Sequence, residues 1–597
     1  MILIGDTVKY FKNENLYLFL MIASIYILFS NGRITTSMDV DVLNYAKDFY
    51  ETGSFGSDKA LASGIVFSPY TEKFYPMEGF GVVLPYTLSY GFSKIFGIDS
   101  IFPVYMTNQI LSALSVLFLF MTLKLLTCRK KSLFLSLTYA LATPIFVHSK
   151  YLLPEPVTMV MFSGAFYFYF KYFIQSKKNI DLFFSLLFGS FSLICRPDSP
   201  IFVGLFSLLI LVKLIKERSS KSSYIFSISG LVIGVAIFSI VNYSKFGSTI
   251  ETGYTLTRDA QSEAILKKIE SFSKKRDTVY KELEKLFNKD KESEATKLKY
   301  AEYQDIEYAL KTQDKFFKDI ERMKKEHGST PNTIEKNSVG DFLYGIVLST
   351  IYPNRSIFFL SPVLLLLIPL GFSFFRKYRV ESIGILTIMA FYLSLYSLRA
   401  PLSYAGSAAW GVRYLLPMYP LMFIMLSGKI PERLSANHLY KRVIYLLFAV
   451  SIIFQIIGSS VNYQSVQMPL EYACKQKFGT DDMKWARESR KELMTTYRAS
   501  LLRNNLSIIS GKPPIVLESF LGKDIYKRIE KSGQIPGGVN DWFFKKTLFD
   551  KDGDRSSNNS LFILLFFILT GLFLFSVYNL YNLFFNKIES RVEKSVK

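Results

Sequence analysis

SLFILLFFILTGLFLFSVYNLYNLFF, residues 560–585, decides the fold class. It carries no charged side chain and exceeds the roughly 20 residues needed to cross a bilayer's hydrocarbon core, so it reads as a membrane-spanning helix. LYLFLMIASIYILFS, residues 16–30, has the same character and follows Lys9 and Lys12. No small-x-small cleavage pattern comes after it, so it is expected to be an uncleaved first span rather than a signal peptide. Working outward from these two ends gives about twelve spans. They lie near 15–31, 103–126, 132–148, 156–174, 181–195, 199–215, 223–242, 356–375, 382–398, 412–427, 442–460 and 561–585. Half of the 597 residues are apolar, and the 55 Phe and 38 Tyr cluster in long runs, which excludes an ordinary soluble globular chain.

The formal net charge is +22. In a soluble protein that would suggest nucleic acid, but here the basic residues follow the spans. With the N-terminus inside, the connections expected in the cytoplasm are CRKK (128–131), QSKKN (175–179), KLIKERSSK (213–221), FRKYR (375–379), the 428–442 segment and the tail from Lys587, all of them basic. The opposite connections carry few Lys or Arg. Parity and charge therefore agree on an integral membrane protein with both termini cytoplasmic, a membrane partner and no nucleic acid.

Three long segments then lie outside: 32–102, 243–355 and 461–560. Residues 262–326 are dense in Lys and Glu of nearly balanced sign, with apolar residues at helical spacing (Ile265, Leu266, Ile269, Phe272; Val279, Leu283, Leu286, Phe287). They read as one or two long amphipathic helices forming a solvated unit separable from the membrane core. A partner-binding coiled coil is the other reading. The expected organisation is 1–260, an N-terminal transmembrane core containing the first outer loop (32–102); 261–340, a charged helical insertion; 341–460, a C-terminal transmembrane core; 461–560, an outer segment; and 561–597, the last span and tail.

The chemistry is bounded first by exclusion. The three cysteines (Cys128, Cys195, Cys474) give no disulfide framework, and the three histidines (His148, His327, His438) are too scattered for a zinc site. No Walker, GxGxxG or GxSxG motif is present. Carboxylates and basic residues remain. Asp39 and Asp41 stand just beyond the first span, at i and i+2, ahead of LNYAKDFYETG. A carboxylate there could act as general base toward an acceptor hydroxyl at the membrane face, or could cap the helix that follows. A divalent cation between the two stays open, although two carboxylates without further ligands are weak support for one.

Further stretches follow in order: SGIVFSPYTEKFYPMEGFGVVLPYTLSYGFSKIFG (63–97), YLLPEP (151–156), NYSKFGSTIETGY (242–254), YPNRSIFFLSPVLLLL (352–367) and SAAWGVRYLLPMYPL (407–421). In order and spacing these resemble the bacterial polytopic glycosyltransferases of the GT-C superfamily, the group that holds protein O-mannosyltransferases and lipid A aminoarabinose transferases. The likeness is strongest in FG-x-x-x-ETGY, P-x-R-S-x-F-x-x-SP and WG-x-RYLLP. It implies an all-α, GT-C-like polytopic fold with extracytoplasmic loops and a helical insertion. It also implies an enzyme moving a sugar from a polyprenyl-phosphate-linked donor to a hydroxyl on a lipid, glycan or protein, with the catalytic acid in the first outer loop. Many relatives carry Asp-Glu or Glu-Asp there; this chain has Asp-Val-Asp, and Asp39 is the favoured base with Asp41 beside it.

Negative charge develops on the bridging oxygen as the glycosidic bond breaks, so cations near the outer face would stabilise the transition state. Lys73, Arg355 and Arg413 are the candidates for the donor phosphate. Lys73 could equally be a solvated loop lysine, whereas Arg413 at the start of an apolar span must be paired or functional. Glu155, between two prolines, is expected either to orient the acceptor or the first loop, or to cap a helix. Arg196 and Asp198 flank Pro197 and are expected to pair with each other. Tyr75, Trp410 and Tyr414 read as a sugar or lipid platform or as an interfacial aromatic belt. Glu78, Glu251 and Tyr254 complete the substrate-side candidates. The competing functions are a transporter or flippase of lipid-linked sugars and a non-catalytic scaffold. Mid-span ionisable residues or repeated halves would favour a transporter, and the sequence has neither.

Overall fold

The computed structural model describes residues 13–30, 37–60, 65–76, 79–98, 101–253, 256–291, 293–327, 339–353, 355–398, 410–429, 438–461, 501–510, 512–515, 527 and 559–586. The chain opens with α1 (Glu14–Leu28), capped by the Asn13 side chain, and α2 (Ser37–Thr52). An antiparallel hairpin of β1 (Ile65–Ser68) and β2 (Lys73–Pro76) leads into α3 (Phe80–Phe96). The bundle continues through α4 (Ile101–Leu126), α5 (Arg129–Leu141), α6 (Ile145–His148), α7 (Pro154–Phe170), α8 (Asn179–Phe191), α9 (Ser199–Lys216) and α10 (Lys221–Phe246). Two long helices, α11 (Arg258–Lys289) and α12 (Glu294–His327), form the insertion. The second half holds α13 (Val339–Thr350), α14 (Ile357–Leu360), α15 (Leu367–Lys377), α16 (Arg379–Ser397), α17 (Tyr419–Met425), α18 (His438–Ser459), α19 (Leu501–Ile509) and α20 (Asn559–Tyr581).

Among the described residues, 7 helical stretches are long and apolar enough to cross a membrane: Pro103–Leu126, Pro154–Ser176, Ser199–Lys216, Lys221–Phe246, Arg379–Ser397, His438–Ser459 and Leu564–Phe584. Glu14–Leu28 and Asn179–Ile194 are apolar but shorter. The spans expected at 132–148, 356–375 and 412–427 are interrupted instead. Pro144 separates α5 from α6, a 3-10 turn at Pro362–Leu366 separates α14 from α15, and a 3-10 segment, Arg413–Met418, precedes α17. Proline has no N–H to continue a helical ladder. Each break is lined by buried side chains such as Val363, Leu364, Leu415, Leu416 and Met418, so the irregular backbone meets protein rather than lipid.

One apolar core joins both halves of the bundle, with Phe120 and Phe166 among its first-half members and Tyr392 and Phe423 among those of the second. The last helix packs against the first: Tyr17 meets Phe575 edge to face at 5.8 Å, and the Arg129 guanidinium lies 4.5 Å from the Phe584 ring centre. Glu14 at the start of α1 pairs with both Lys124 and Arg129. A second core lies around the hairpin, where Val42, Tyr45, Phe67, Phe74, Val82, Tyr86, Tyr105 and Ile265 are buried together.

The insertion has the two helices that the periodicity predicts. Thr257 caps α11 through the Ala260 N–H, and Thr296 closes the turn by donating to the Asp290 carbonyl at 2.6 Å. Its surface is less fully solvated than the charge pattern suggests. Ile265 is completely buried, Gln313 equally so, and the Lys268 side chain is 5% exposed. This face lies on the hairpin, whose two strands are the other departure from a purely helical expectation.

Candidate active site

The hairpin has two faces because side chains alternate along a strand. Phe67 and Phe74, paired in register, share one face and meet the insertion: Phe316 lies edge-on to Phe74 at 5.2 Å. The Lys268 ammonium reaches Asp58 Oδ1 at 2.9 Å and also donates to the Glu72 carbonyl. Gln261 Oε1 accepts from the Phe67 N–H, and Gln313 Nε2 donates to the Asp58 carbonyl at 3.1 Å.

Lys73 and Tyr75 occupy the opposite face. The Lys73 ammonium donates to Ser54 Oγ at 2.8 Å, and the Tyr75 hydroxyl donates to Thr71 Oγ1 at 3.1 Å. Ser68 and Thr71 both donate to the Lys245 carbonyl, which fastens the hairpin to the C-terminal end of α10. The Tyr75 ring is buried between Phe55 and Phe246, and a Cβ on Gly56 would lie 2.6 Å from its Cζ. Tyr75 is thus a packing residue of this loop, and burial pushes its hydroxyl pKa up. Asp48, on α2, lies nearby. Burial raises its carboxyl pKa above the ordinary value, while a Ser57 hydrogen bond and the Lys73 charge pull the other way.

A second constellation is buried at the start of α7. Glu155, wholly buried in the Pro-Glu-Pro first turn, accepts from Arg413 Nε at 3.0 Å and from an Arg196 Nη at 3.5 Å through the same oxygen, Oε1. Arg196 forks onto Asp198 through two bonds of 2.9 and 2.7 Å and donates to the Tyr396 hydroxyl at 2.8 Å. The expected Arg196–Asp198 pair exists, and it is the centre of a larger network. The Tyr414 ring stacks on Tyr396 at 4.8 Å, with the Arg413 and Arg196 guanidiniums 5.3 and 5.8 Å from its centre. Glu155 Oε2 has no hydrogen-bond partner among the described residues. Buried charges are tolerable only when paired, and here each guanidinium meets a carboxylate.

The two constellations meet at a seam. Gly79, which opens α3, presses on the turn before Arg196 so closely that an added Cβ would stand 1.9 Å from the Ile194 carbonyl oxygen. Glycine is required there.

Other candidates fall elsewhere. Trp410 is 4% exposed and donates Nε1–H to Gln455 Oε1, while its carbonyl lies 2.6 Å from His148 Nε2. Its ring therefore fills core among Val147, Tyr151 and Leu360 and offers no platform in this conformation. Glu251 Oε1 accepts from the Thr252 and Gly253 N–H groups at 3.0 and 3.1 Å, bracing its own turn, and Gly253 takes a positive φ of 76°. Arg355 is fully buried. Asp39 and Asp41 lie on the backbone of α2, with their side chains outside the described residues, and Glu78 and Tyr254 are outside them altogether. Among the described residues, no three His, Cys, Asp or Glu side chains gather as a metal site. Sequence reasoning missed Asp48, Tyr396 and Lys245. The signal for Lys245 was a lone base in the last turn of an apolar helix, flanked by aromatics.

No curated protein matches the chain. Among solved structures, the chain resembles ArnT from Cupriavidus metallidurans in the apo state, with a TM-score of 0.41 and 9% identity, covering 98% of this chain and 78% of that one. It also resembles the oligosaccharyltransferase AglB from Archaeoglobus fulgidus in complex with an inhibitory peptide and a dolichol-phosphate, with a TM-score of 0.38 and 10% identity, covering 82% of this chain and 60% of that one. Residues 81–243, running from α3 to the end of α10 and less than half of the chain, match the family model described as dolichyl-phosphate-mannose-protein mannosyltransferase, in agreement with the GT-C resemblance of the motifs.

Proposed function

We propose that the chain is a membrane glycosyltransferase that takes a sugar from a polyprenyl-phosphate carrier and gives it to a hydroxyl of a lipid, glycan or protein. The match of residues 81–243 to a family described as using dolichyl-phosphate-mannose carries this reading. The reaction takes place on the extracytoplasmic face of a bacterial inner membrane, with both termini in the cytoplasm. The acceptor hydroxyl gives its proton to Asp39 as its oxygen bonds to the anomeric carbon. The bond from that carbon to the phosphate oxygen breaks, and the electron pair leaves on the phosphate. Asp41 assists from the same turn of α2. Lys73, Arg355 and Arg413 supply positive charge where the phosphate leaves. Glu155 and Arg196 act through Arg413 by fixing where its guanidinium points, and Tyr414 supplies a flat, cation-backed face beside it.

The test is transfer from a polyprenyl-phosphate sugar in reconstituted membranes. Asp39→Asn removes the proton acceptor but keeps the side chain's shape; Asp39 lies inside the first turn of α2, not at its N-cap, so no cap is lost. Transfer should fall roughly 100-fold or more with donor binding retained. Asp41→Asn alongside it decides which carboxylate acts. Full activity in both single variants and in the double variant would remove the catalytic assignment.

A further inference from the structure

The turn of the hairpin carries Tyr70, a large side chain 60% exposed at the tip of two largely buried strands. The turn fixes where the ring sits. Ser68 Oγ accepts from the Tyr70 and Thr71 N–H groups, each at 3.3 Å, while it donates to the Lys245 carbonyl. The Tyr70 ring lies 6.3 Å from that of Tyr243 and close over Gly247, where φ is 67° and an added Cβ would stand 2.7 Å from the ring. Tyr243 is itself 54% exposed, and Ile250, just beyond Gly247, is exposed as well. The hairpin and the end of α10 thus share one uncovered aromatic patch.

What covers the patch follows from its place on α10. This helix is long and apolar enough to cross a bilayer, and Ile225, Ile228 and Val232 are exposed along one side of it, the side left to lipid. At 3.6 residues per turn, Tyr243 falls on the same line as Ile225, about five turns and roughly 27 Å further along the axis. That span is close to the hydrocarbon thickness of about 30 Å, so Tyr243 stands where acyl chains give way to headgroups. Tyrosine is enriched at that depth because its ring is apolar and its hydroxyl polar. Tyr70, packed beside Tyr243, stands at the same depth.

We propose that the hairpin tip is a membrane anchor: Tyr70, with Tyr243, lies in the headgroup boundary of the bilayer, so that lipid holds the hairpin at its turn as protein holds it along its strands. The occupant is the bilayer rather than a second protein, because the patch continues the lipid-facing side of α10 through Ala236 and Ile240, both exposed. An exposed apolar patch marks an interaction surface, and here its neighbour is already lipid. The anchor goes beyond the transferase reading and does not depend on it. Its consequence is positional: Lys73, at the start of β2, is kept at a fixed depth relative to the membrane surface.

The experiment uses the full wild-type chain in phosphatidylcholine nanodiscs. Hydroxyl-radical footprinting, read tyrosine by tyrosine by peptide mass spectrometry, compares Tyr70 and Tyr243 with Tyr300 and Tyr308 of the insertion, whose exposures of 50 and 53% are similar on the bare chain. Lipid is expected to slow oxidation of Tyr70 and Tyr243 at least fivefold relative to the insertion pair, and equal rates would overturn the anchor. A phosphatidylcholine carrying a diazirine near the carbonyl end of its acyl chain is expected to add to the peptide holding residues 65–76. Protection of Tyr70 without that adduct would assign the cover to protein and overturn the proposal. Tyr70→Ser is expected to lower the adduct yield on the same peptide at least fivefold, and Tyr300→Ser to leave it unchanged; a yield indifferent to Tyr70→Ser would also overturn it. If Tyr70→Ser fails to fold, the two measurements on the wild-type chain decide.

Discussion

Glu155 holds two guanidinium groups through one carboxylate oxygen, 41 residues from one and 258 from the other. Glu155→Gln keeps the size of the side chain but removes the charge, so the buried Arg413 guanidinium loses the Glu155 carboxylate. Losing one side of a buried pair costs about 3–5 kcal/mol, so the thermal midpoint in detergent should fall clearly, while Glu155→Asp loses less. Asp48 behaves in the opposite sense. Burial raises its pKa in the folded protein, so the folded state holds the proton more tightly than the unfolded one. Its contribution to stability is fully present below the ordinary carboxylate range and is lost as pH rises through the raised value. Asp48→Asn should therefore raise the thermal midpoint at pH 7 and change it little near pH 4, as a melting series across that range would show. The Pro-Glu-Pro setting of Glu155 and the closeness of Arg196 to Asp198 in sequence made those residues legible. Their assembly with Arg413 was not legible, because it depends on how α7, the turn before α9 and the segment before α17 pack in three dimensions, and no local pattern encodes that.

At the scale of the element, the hairpin is held between two supports, with Phe67 and Phe74 against the insertion and Ser68, Thr71 and Tyr75 against the end of α10. The alternation of IVFS and KFYP was present in the sequence, but strands this short are ambiguous until a partner is known. The two helices of the insertion were legible from their period, whereas the docking of one face was not, since Lys268 and Gln261 look like surface residues until their partners Asp58 and the Phe67 N–H are in place. The packing reverses the expectation of a separable unit. Replacing 262–326 with a short flexible linker should uncover Phe67 and Phe74, and the purified variant should aggregate or be clipped near the hairpin by dilute protease. A milder probe is Ile265→Ala, which should cost about 2–5 kcal/mol if this contact is a true core. A monodisperse deletion variant with an intact hairpin would show that the insertion only rests there.

Across the whole molecule, the length of the apolar runs made the membrane-spanning helices legible without coordinates, while the charge of the connections predicts their sidedness. The breaks at Pro144, Pro362 and Pro417 were not legible, because an apolar run of constant hydropathy hides where its backbone turns. Cysteines introduced near 300 and 520 should react with an impermeant reagent added from outside, and those near 218 and 435 should not. Labelling at 218 would invert the sidedness and move the hairpin to the cytoplasm. The pairing of α20 with α1 bears on how the chain is made. At about 5–20 residues per second, the roughly 530 residues between these helices take on the order of half a minute to two minutes to synthesise. During that time the α20-facing side of α1 must wait in the lipid or borrow a temporary neighbour from the insertion machinery. α1 is thus among the last helices to acquire its full set of partners, and closure of the bundle becomes a late event that ribosome-bound intermediates of increasing length would capture in sequence.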